Sequence, residues 1–547
     1  MTTSAESPEA TAPAPAVADR TWSIIALLAL VGVARSAALL RINAAEYTDG
    51  ILVIGRSLFG PTYWPPGYTW TSMAASWLTG GDLEAGARAV SAVCGGLTII
   101  PVAWLAVWLA GPTAPVARRE RLALLAGLFY LASPEAWRWS LRVMTDSQFT
   151  LLMWTSLALT AAAWSAFIER PRVQPIAPGS TPARWQPALL PLAVLAGLAA
   201  AFTRNQGIFL IPIHAGLALA VGHVWWRGRL GVPRAMAAGL LAPAAWLLWP
   251  VLMGGQVQAH GGQVAFRAAL AGGPEGATGW EALWASGLQM LAMLEAFVYL
   301  MPYFFTPLVV VFAVVGAAAL HARRARQAVF LLTGALLLLL ILTSQAAFQS
   351  FLSRYLLPLV PLISILAAWG VASLLRRKPR ATALIAGLAI AWGLAFGLTS
   401  IIVQRGAFGD IREAALALAD VAPMNAPVFA NETYKPEAGL GAIKLIYWSG
   451  RRVEPLALMP TPPPPGSYVV LSSAYGGPEA YTRTLAQLTG QMGGEVVAGP
   501  FESWLVPLLP DIMQSPQFGH QSPMAWIYRY LPQQFRSVVV HFPPRAR

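Results

Sequence analysis

The sequence predicts an α-helical polytopic membrane protein of about eleven transmembrane helices with a C-terminal soluble α/β domain, and three observations predict it. Of 547 residues, 56% are hydrophobic and only 11% are charged, too few charges to give a soluble protein of this size a polar surface. The apolar residues gather in runs that approach the roughly 20 needed to cross about 30 Å of hydrocarbon. The Lys and Arg residues recur in every second connection between those runs, an asymmetry that marks cytoplasmic loops.

The runs lie near residues 22–40, 89–110, 121–137, 147–167, 187–203, 207–225, 235–253, 303–320, 327–344, 355–375 and 381–402. Residues 1–20 are rich in Ala, Pro, Thr and Ser, carry Glu6, Glu9 and Asp19, and lack the basic start of a cleavable signal peptide. They read as a disordered cytoplasmic tail, and the first helix as an uncleaved anchor. The basic connections hold Arg118, Arg119 and Arg121, then Arg170, Arg172 and Arg184, then Arg227, Arg229 and Arg234, then Arg323, Arg324 and Arg326, and finally Arg376, Arg377, Lys378 and Arg380. With the N-terminus inside, all five fall on the cytoplasmic side, which puts the C-terminus outside.

Residues 21–402 thus form a membrane domain with long outer loops at 41–88 and 254–302. In these loops Glu46 to Leu58, Tyr68 to Leu78 and Trp280 to Tyr299 have mixed apolar and polar faces that suit helices lying along the membrane surface. Over residues 403–547 the pattern changes to short strands, Tyr468 to Ser472 and Glu495 to Ala498, with a helix near Pro478 to Met492 and a Pro-rich turn from Pro460 to Gly466. This stretch reads as an extracytoplasmic α/β domain.

Composition also excludes function classes. The formal net charge is +13, but the basic residues sit in loop clusters and not on a continuous stripe, so no nucleic-acid partner is expected. The lone Cys94 lies in an apolar run and offers neither a disulfide framework nor a Cys metal site. The six histidines show no ligand spacing. No cofactor follows from the sequence, and no ligand motif supports a divalent metal, which only carboxylates would be left to hold. Glycine-rich phosphate loops, G-x-S-x-G elbows and H-E-x-x-H are absent from the sequence.

The informative residues are charges where the topology does not want them. Glu46 and Asp49 open the first outer loop, and three residues apart they would share one face of a helix. Asp146 starts the fourth run, and Arg142, Arg204 and Arg354 stand at outer helix ends. Ionisable groups at membrane depth are expensive and tend to be functional. Arginines at headgroup level suit a phosphate, which they bind bidentately. A carboxylate within reach of an acceptor hydroxyl suits general-base work. A lipid-phosphate sugar donor uses both. The plainer readings are helix caps for Glu46, Asp49 and Asp146 and snorkelling anchors for the arginines.

The stretches Glu46-Tyr47-Thr48-Asp49, Ile54-Gly55-Arg56-Ser57-Leu58, Tyr63-Trp64-Pro65-Pro66-Gly67-Tyr68 and Arg88-Ala89-Val90-Ser91-Ala92, followed by Arg142 to Asp146, Thr203 to Gly207 and Arg354-Tyr355-Leu356-Leu357-Pro358, resemble in their order the GT-C membrane glycosyltransferases. The protein O-mannosyltransferase and aminoarabinose-transferase-like group is the nearest in style. The resemblance covers about residues 22–400. It implies a GT-C-like catalytic domain, a polyprenyl-phosphate-linked sugar donor, an inverting transfer onto a lipid, polysaccharide or protein acceptor, and a first-loop acid as base. Carried over, the base is Asp49 or Glu46, Asp146 matches the second acidic position, and Arg354, Arg204 and Arg142 are the phosphate candidates. Tyr63, Pro65, Pro66 and Tyr68 would form a substrate loop. Relatives carry adjacent Asp-Glu where this chain has Glu46 and Asp49, so the base stays open between the two. The Ala- and Arg-rich, Lys-poor composition suits a GC-rich bacterial genome, hence a multi-pass bacterial plasma-membrane protein. A lipid or sugar transporter or flippase and a non-catalytic envelope assembly protein remain the rival classes.

Overall fold

A segment in hydrocarbon must satisfy its own backbone, which a helix does internally, and the apolar runs among the described residues accordingly fold as helices. The computed structural model describes residues 19–60, 64–169, 188–226, 305–320, 325–347, 353–432, 442–475, 477–505 and 533–544. After α1 (Thr21–Ala38) the first loop folds into α2 (Thr48–Ile54), α3 (Arg56–Phe59) and α4 (Gly67–Ser76). Then come α5 (Leu83–Leu97), α6 (Ile99–Trp108), α7 (Val116–Leu131), α8 (Pro134–Ser140), α9 (Asp146–Trp164), α10 (Leu189–Thr203) and α11 (Ile211–Trp226). They are followed by α12 (Pro307–Leu320), α13 (Ala325–Ala347), α14 (Val360–Leu374) and α15 (Pro379–Gln404).

Among the described residues, 5 stretches are long and apolar enough to cross a membrane, beginning at Thr21, Leu83, Asp146, Arg354 and Pro379. Four shorter apolar helices, Leu189–Thr203, Asn205–Ala220, Pro307–Leu320 and Arg326–Leu338, fall on further expected runs. The run expected at 235–253, the outer loop at 254–302 and most of the expected tail lie outside the described residues.

The stretch containing α14 is the centre of the bundle, with 94% of its most apolar window buried, against 33% for those of α1 and α15. It packs on α12, α7 and α6. At its crossing with α12, a Cβ on Gly370 would run into the Phe312 carbonyl, and one on Gly316 into the Leu366 carbonyl. Without a hydrophobic drive between helices in lipid, such small residues let backbones close to van der Waals range.

The first loop departs from expectation. In α2, Gly50 to Ile54 are all buried and cluster with Trp64, Tyr68, Val143 and Ile443. The stretch from Glu46 is therefore packed into the protein instead of lying along a surface. The α4 segment does keep Trp70 and Met73 exposed, with Trp77 and Leu78 just beyond, as an interfacial helix would.

After α15 the chain forms α16 (Gly409–Val421), β1 (Val428–Ala430), α17 (Ile443–Ser449), β2 (Glu454–Pro455), β3 (Tyr468–Ser472), α18 (Gly477–Ala486), β4 (Glu495–Leu505) and β5 (Gln533–His541). The sheet order is β2-β1-β3-β5-β4, with β1 parallel to β2 and β3, and β5 antiparallel to β3 and β4. Apolar clusters cover both faces, Leu418, Val470 and Val539 on one and Phe429, Val469 and Val538 on the other. The expected strand Tyr468 to Ser472 is β3, the expected strand from Glu495 runs on to Leu505 as β4, and the expected helix near 478–492 is α18 continued by a π-turn over Gln487–Gln491.

Candidate active site

Asp49 sits in the first turn of α2, where the helix dipole favours a carboxylate. Gly50 brings this helix against the main chain of Val143, since a Cβ there would strike the Val143 carbonyl. Arg354 comes from the 3-10 turn Ser353–Leu359 that leads into α14. Its Nη2 donates to Asp49 Oδ2 at 2.5 Å, and the pair keeps some exposure, 19% for the Asp49 side chain and 11% for that of Arg354. A second pair lies deeper. Asp146 begins α9, and Arg204, extended after α10, donates to Asp146 Oδ1 with both side chains sealed from solvent.

Tyr355 joins the pairs. Its ring lies 4.8 Å from the Arg204 Cζ and 5.3 Å from the Arg354 Cζ, so the two guanidiniums share one aromatic neighbour. Asp146 Oδ2 is buried with no hydrogen-bond partner among the described residues. It lines a small cavity together with Arg204, Gln206, Phe209, Leu337 and Tyr355. Leu337 also lines a larger apolar groove of about 460 Å³ with Trp108, Trp154, Phe330 and Leu362. A charged cavity therefore adjoins an apolar channel between helices.

No family model matches the sequence, and no curated protein matches it. Among solved structures, the chain is similar to ArnT from Cupriavidus metallidurans bound to undecaprenyl phosphate, at 16% identity over 96% of this chain and 98% of that one, with a TM-score of 0.57. The apo state of the same protein gives 15% identity, 95% and 97% coverage and a TM-score of 0.55. The chain shares the ArnT fold. A fainter likeness, to the oligosaccharyltransferase AglB from Archaeoglobus fulgidus, has a TM-score of 0.46 at 11% identity over 83% of this chain and 69% of that one, and carries no argument.

Within this fold the remaining candidates fall elsewhere. Glu46 precedes α2, so it does not share a helix face with Asp49. It is fully buried, with Arg88 Nε donating at 2.7 Å and the Val143 amide at 3.1 Å. The same Arg88 donates from Nη2 to Glu84 at 2.6 Å. Burial pushes the Glu46 carboxyl above the usual range, against the pull of Arg88 and Arg142, which fits one arginine shared by two acids. Arg142 spends its guanidinium on the carbonyls of Ala45 and Gln404, at 2.9 and 3.1 Å, and stacks over Tyr47. It braces the loop against α15 and is not brought to Arg354 and Arg204. Pro65 and Pro66 are buried, and the Tyr68 hydroxyl bonds to the Ala87 carbonyl and Ser91. These three build the loop's core and line neither cavity. Tyr63 lies outside the described residues.

Sequence reasoning passed over Glu84, which ties the loop to the C-terminal unit by accepting from Trp448 Nε1 at 3.1 Å and pairing with Arg412 at 3.7 Å. It also passed over Lys444, whose signal was a single lysine inside the apolar run Ile443-Lys444-Leu445-Ile446.

Proposed function

We propose that the chain is a membrane glycosyltransferase that moves a sugar from a polyprenyl-phosphate donor to an acceptor hydroxyl on the outer face of the membrane, with inversion. The observation that carries this reading is the pair of carboxylate–arginine contacts around Tyr355, placed beside an apolar groove that shares Leu337 with the charged cavity. The groove suits a polyprenyl tail, and Arg354 and Arg204 suit its phosphate. Likeness of fold to an enzyme solved with undecaprenyl phosphate supports the donor class.

In this reading Asp49 is the base and Asp146 holds Arg204 in the cavity. At rest Arg354 holds Asp49, and the arriving phosphate competes for Arg354 and frees the carboxylate. Asp49 then takes the acceptor's hydroxyl proton. The hydroxyl oxygen bonds to the anomeric carbon from the face opposite the phosphate, whose oxygen leaves with the bonding electrons and is stabilised by the arginines. Glu46, with both oxygens engaged inside the protein, is a framework residue.

The arginine clusters support about eleven spans with the N-terminus cytoplasmic, the C-terminal α/β unit outside, and a bacterial plasma membrane as the setting. The test is transfer by purified protein in lipid from radiolabelled polyprenyl-phosphate sugars, with an envelope extract as acceptor. Labelled acceptor supports the reading. Movement of labelled lipid between leaflets without transfer overturns it in favour of a flippase.

A further inference from the structure

Lys444 is one of only three lysines in the chain, and it is 1% exposed. A buried ammonium costs stability unless its charge is answered. Its helix, α17, packs against α2, and its neighbour Ile443 joins Ile51, Leu52, Val53 and Ile54 in one apolar cluster. The Lys444 Nζ stands 3.7 Å from the Phe408 ring centroid, and Phe408 lies edge-on to Tyr47 at 5.9 Å. Tyr47 caps the helix that carries Asp49. The C-terminal unit thus places a cation two aromatic rings, Phe408 and Tyr47, from the start of α2.

Three carboxylates act on that ammonium: Glu432 beyond β1, Asp410 on α16 and Asp49 on α2. Two are answered within the C-terminal unit. Asp410 accepts the hydroxyls of Ser472, Ser503 and Ser537 at 3.3, 2.5 and 2.6 Å. Glu432 accepts the Tyr475 hydroxyl at 3.0 Å, and Lys444 Nζ donates to that same hydroxyl oxygen at 3.0 Å. Among the described residues this is the ammonium's one hydrogen bond, so its other N–H bonds are not spent there. Asp49 is different, because in the proposed cycle its partner Arg354 turns to the donor phosphate.

We propose that Lys444 is a positioning residue for the base, holding the Asp49 carboxylate charged and aimed once Arg354 has turned to the phosphate, so that the C-terminal unit completes the site. This rests on Asp49 being the base. Burial pushes the Lys444 ammonium below the ordinary lysine range, against the pull of Glu432, Asp410 and Asp49. With Tyr475 as its neutral hydrogen-bond partner, the ammonium loses its proton at a lower pH than an exposed lysine, and turnover falls with it on the alkaline side.

The experiment measures kcat and donor KM against pH for the full chain in lipid, with radiolabelled polyprenyl-phosphate sugars, for the wild type and Lys444→Met, Lys444→Arg, Asp49→Asn and Val538→Ala. Lys444→Met should lower kcat about 10²-fold with donor KM unchanged. Lys444→Arg should restore most of that loss and remove the alkaline fall, because a guanidinium keeps its charge. Val538→Ala loosens the same sheet from the apolar cluster on its other face and should keep wild-type kcat. Wild-type kcat in Lys444→Met, an arginine no better than methionine, or an equal loss in Val538→Ala each overturns the role. If Asp49→Asn abolishes transfer while Lys444→Met does not, Lys444 falls alone. If the wild type transfers nothing, or Asp49→Asn turns over normally, the reading of Asp49 falls and takes Lys444 with it.

Discussion

In the proposed cycle the resting ion pair of Asp49 and its role as base pull in opposite directions, and the donor phosphate reconciles them by taking Arg354 away. Two mutations separate the halves of that exchange. Asp49→Asn keeps the shape of the site and removes the proton acceptor, so kcat should fall about 10²- to 10⁴-fold, while titration with polyprenyl phosphate shows binding as tight as the wild type's or tighter, because the phosphate no longer competes with a carboxylate for Arg354. Arg354→Ala removes charge-assisted hydrogen bonds of about 1.5–3 kcal/mol, so donor affinity should drop by roughly tenfold or more; unaltered affinity would return Arg354 to a snorkelling anchor. Glu46→Ala belongs to stability. Deleting one partner of a buried ion pair costs about 3–5 kcal/mol, and the effect should appear as a lower thermal midpoint of the purified protein. The sequence showed these residues as charges out of place at helix ends. It did not show their pairing, because Asp49 and Arg354 are 305 positions apart and Asp146 and Arg204 are 58 apart, and only the packed bundle decides who meets whom.

The elements were legible in proportion to their length. The long apolar runs became α1, α9, α14 and α15 with ends within a few residues of expectation, since hydrocarbon leaves the backbone no alternative to a helix. The run near 89–110 instead divides at Thr98 into α5 and α6, which a count of apolar residues does not reveal. Short apolar segments were harder. Val469, Val470 and Leu471, with turn residues on both sides, read as a strand, whereas α17 is seven residues that a period count cannot tell from a strand. The packing of α12 on α14 yields a prediction at this scale. Gly370→Leu puts a side chain where the Phe312 carbonyl now lies, and overpacking of this kind costs about 1–3 kcal/mol. Its thermal midpoint in detergent should drop, while Gly387→Leu, at a glycine of α15 with open space around it, should leave it unchanged.

Across the whole molecule, the fold sets the bundle under a first loop that is itself clamped from above. The Ala44 amide donates to the Arg405 carbonyl at 2.8 Å, Arg412 donates to the Ala44 carbonyl at 2.7 Å, and Trp448 reaches Glu84. The helices α16 and α17 of the C-terminal unit therefore share a packed boundary with the loop that holds Asp49, something a reading of separate segments could not supply. The choice between Glu46 and Asp49, open in the sequence, becomes a difference of surroundings: one carboxylate is enclosed, and the other is partly exposed beside Arg354 and Tyr355. The most direct test compares sugar transfer from radiolabelled polyprenyl-phosphate donors by the wild type, Asp49→Asn and Glu46→Gln in lipid. The account predicts transfer by the wild type, measurable transfer by folded Glu46→Gln and transfer slowed at least about a hundredfold in Asp49→Asn; transfer undiminished in Asp49→Asn but lost in folded Glu46→Gln would contradict it.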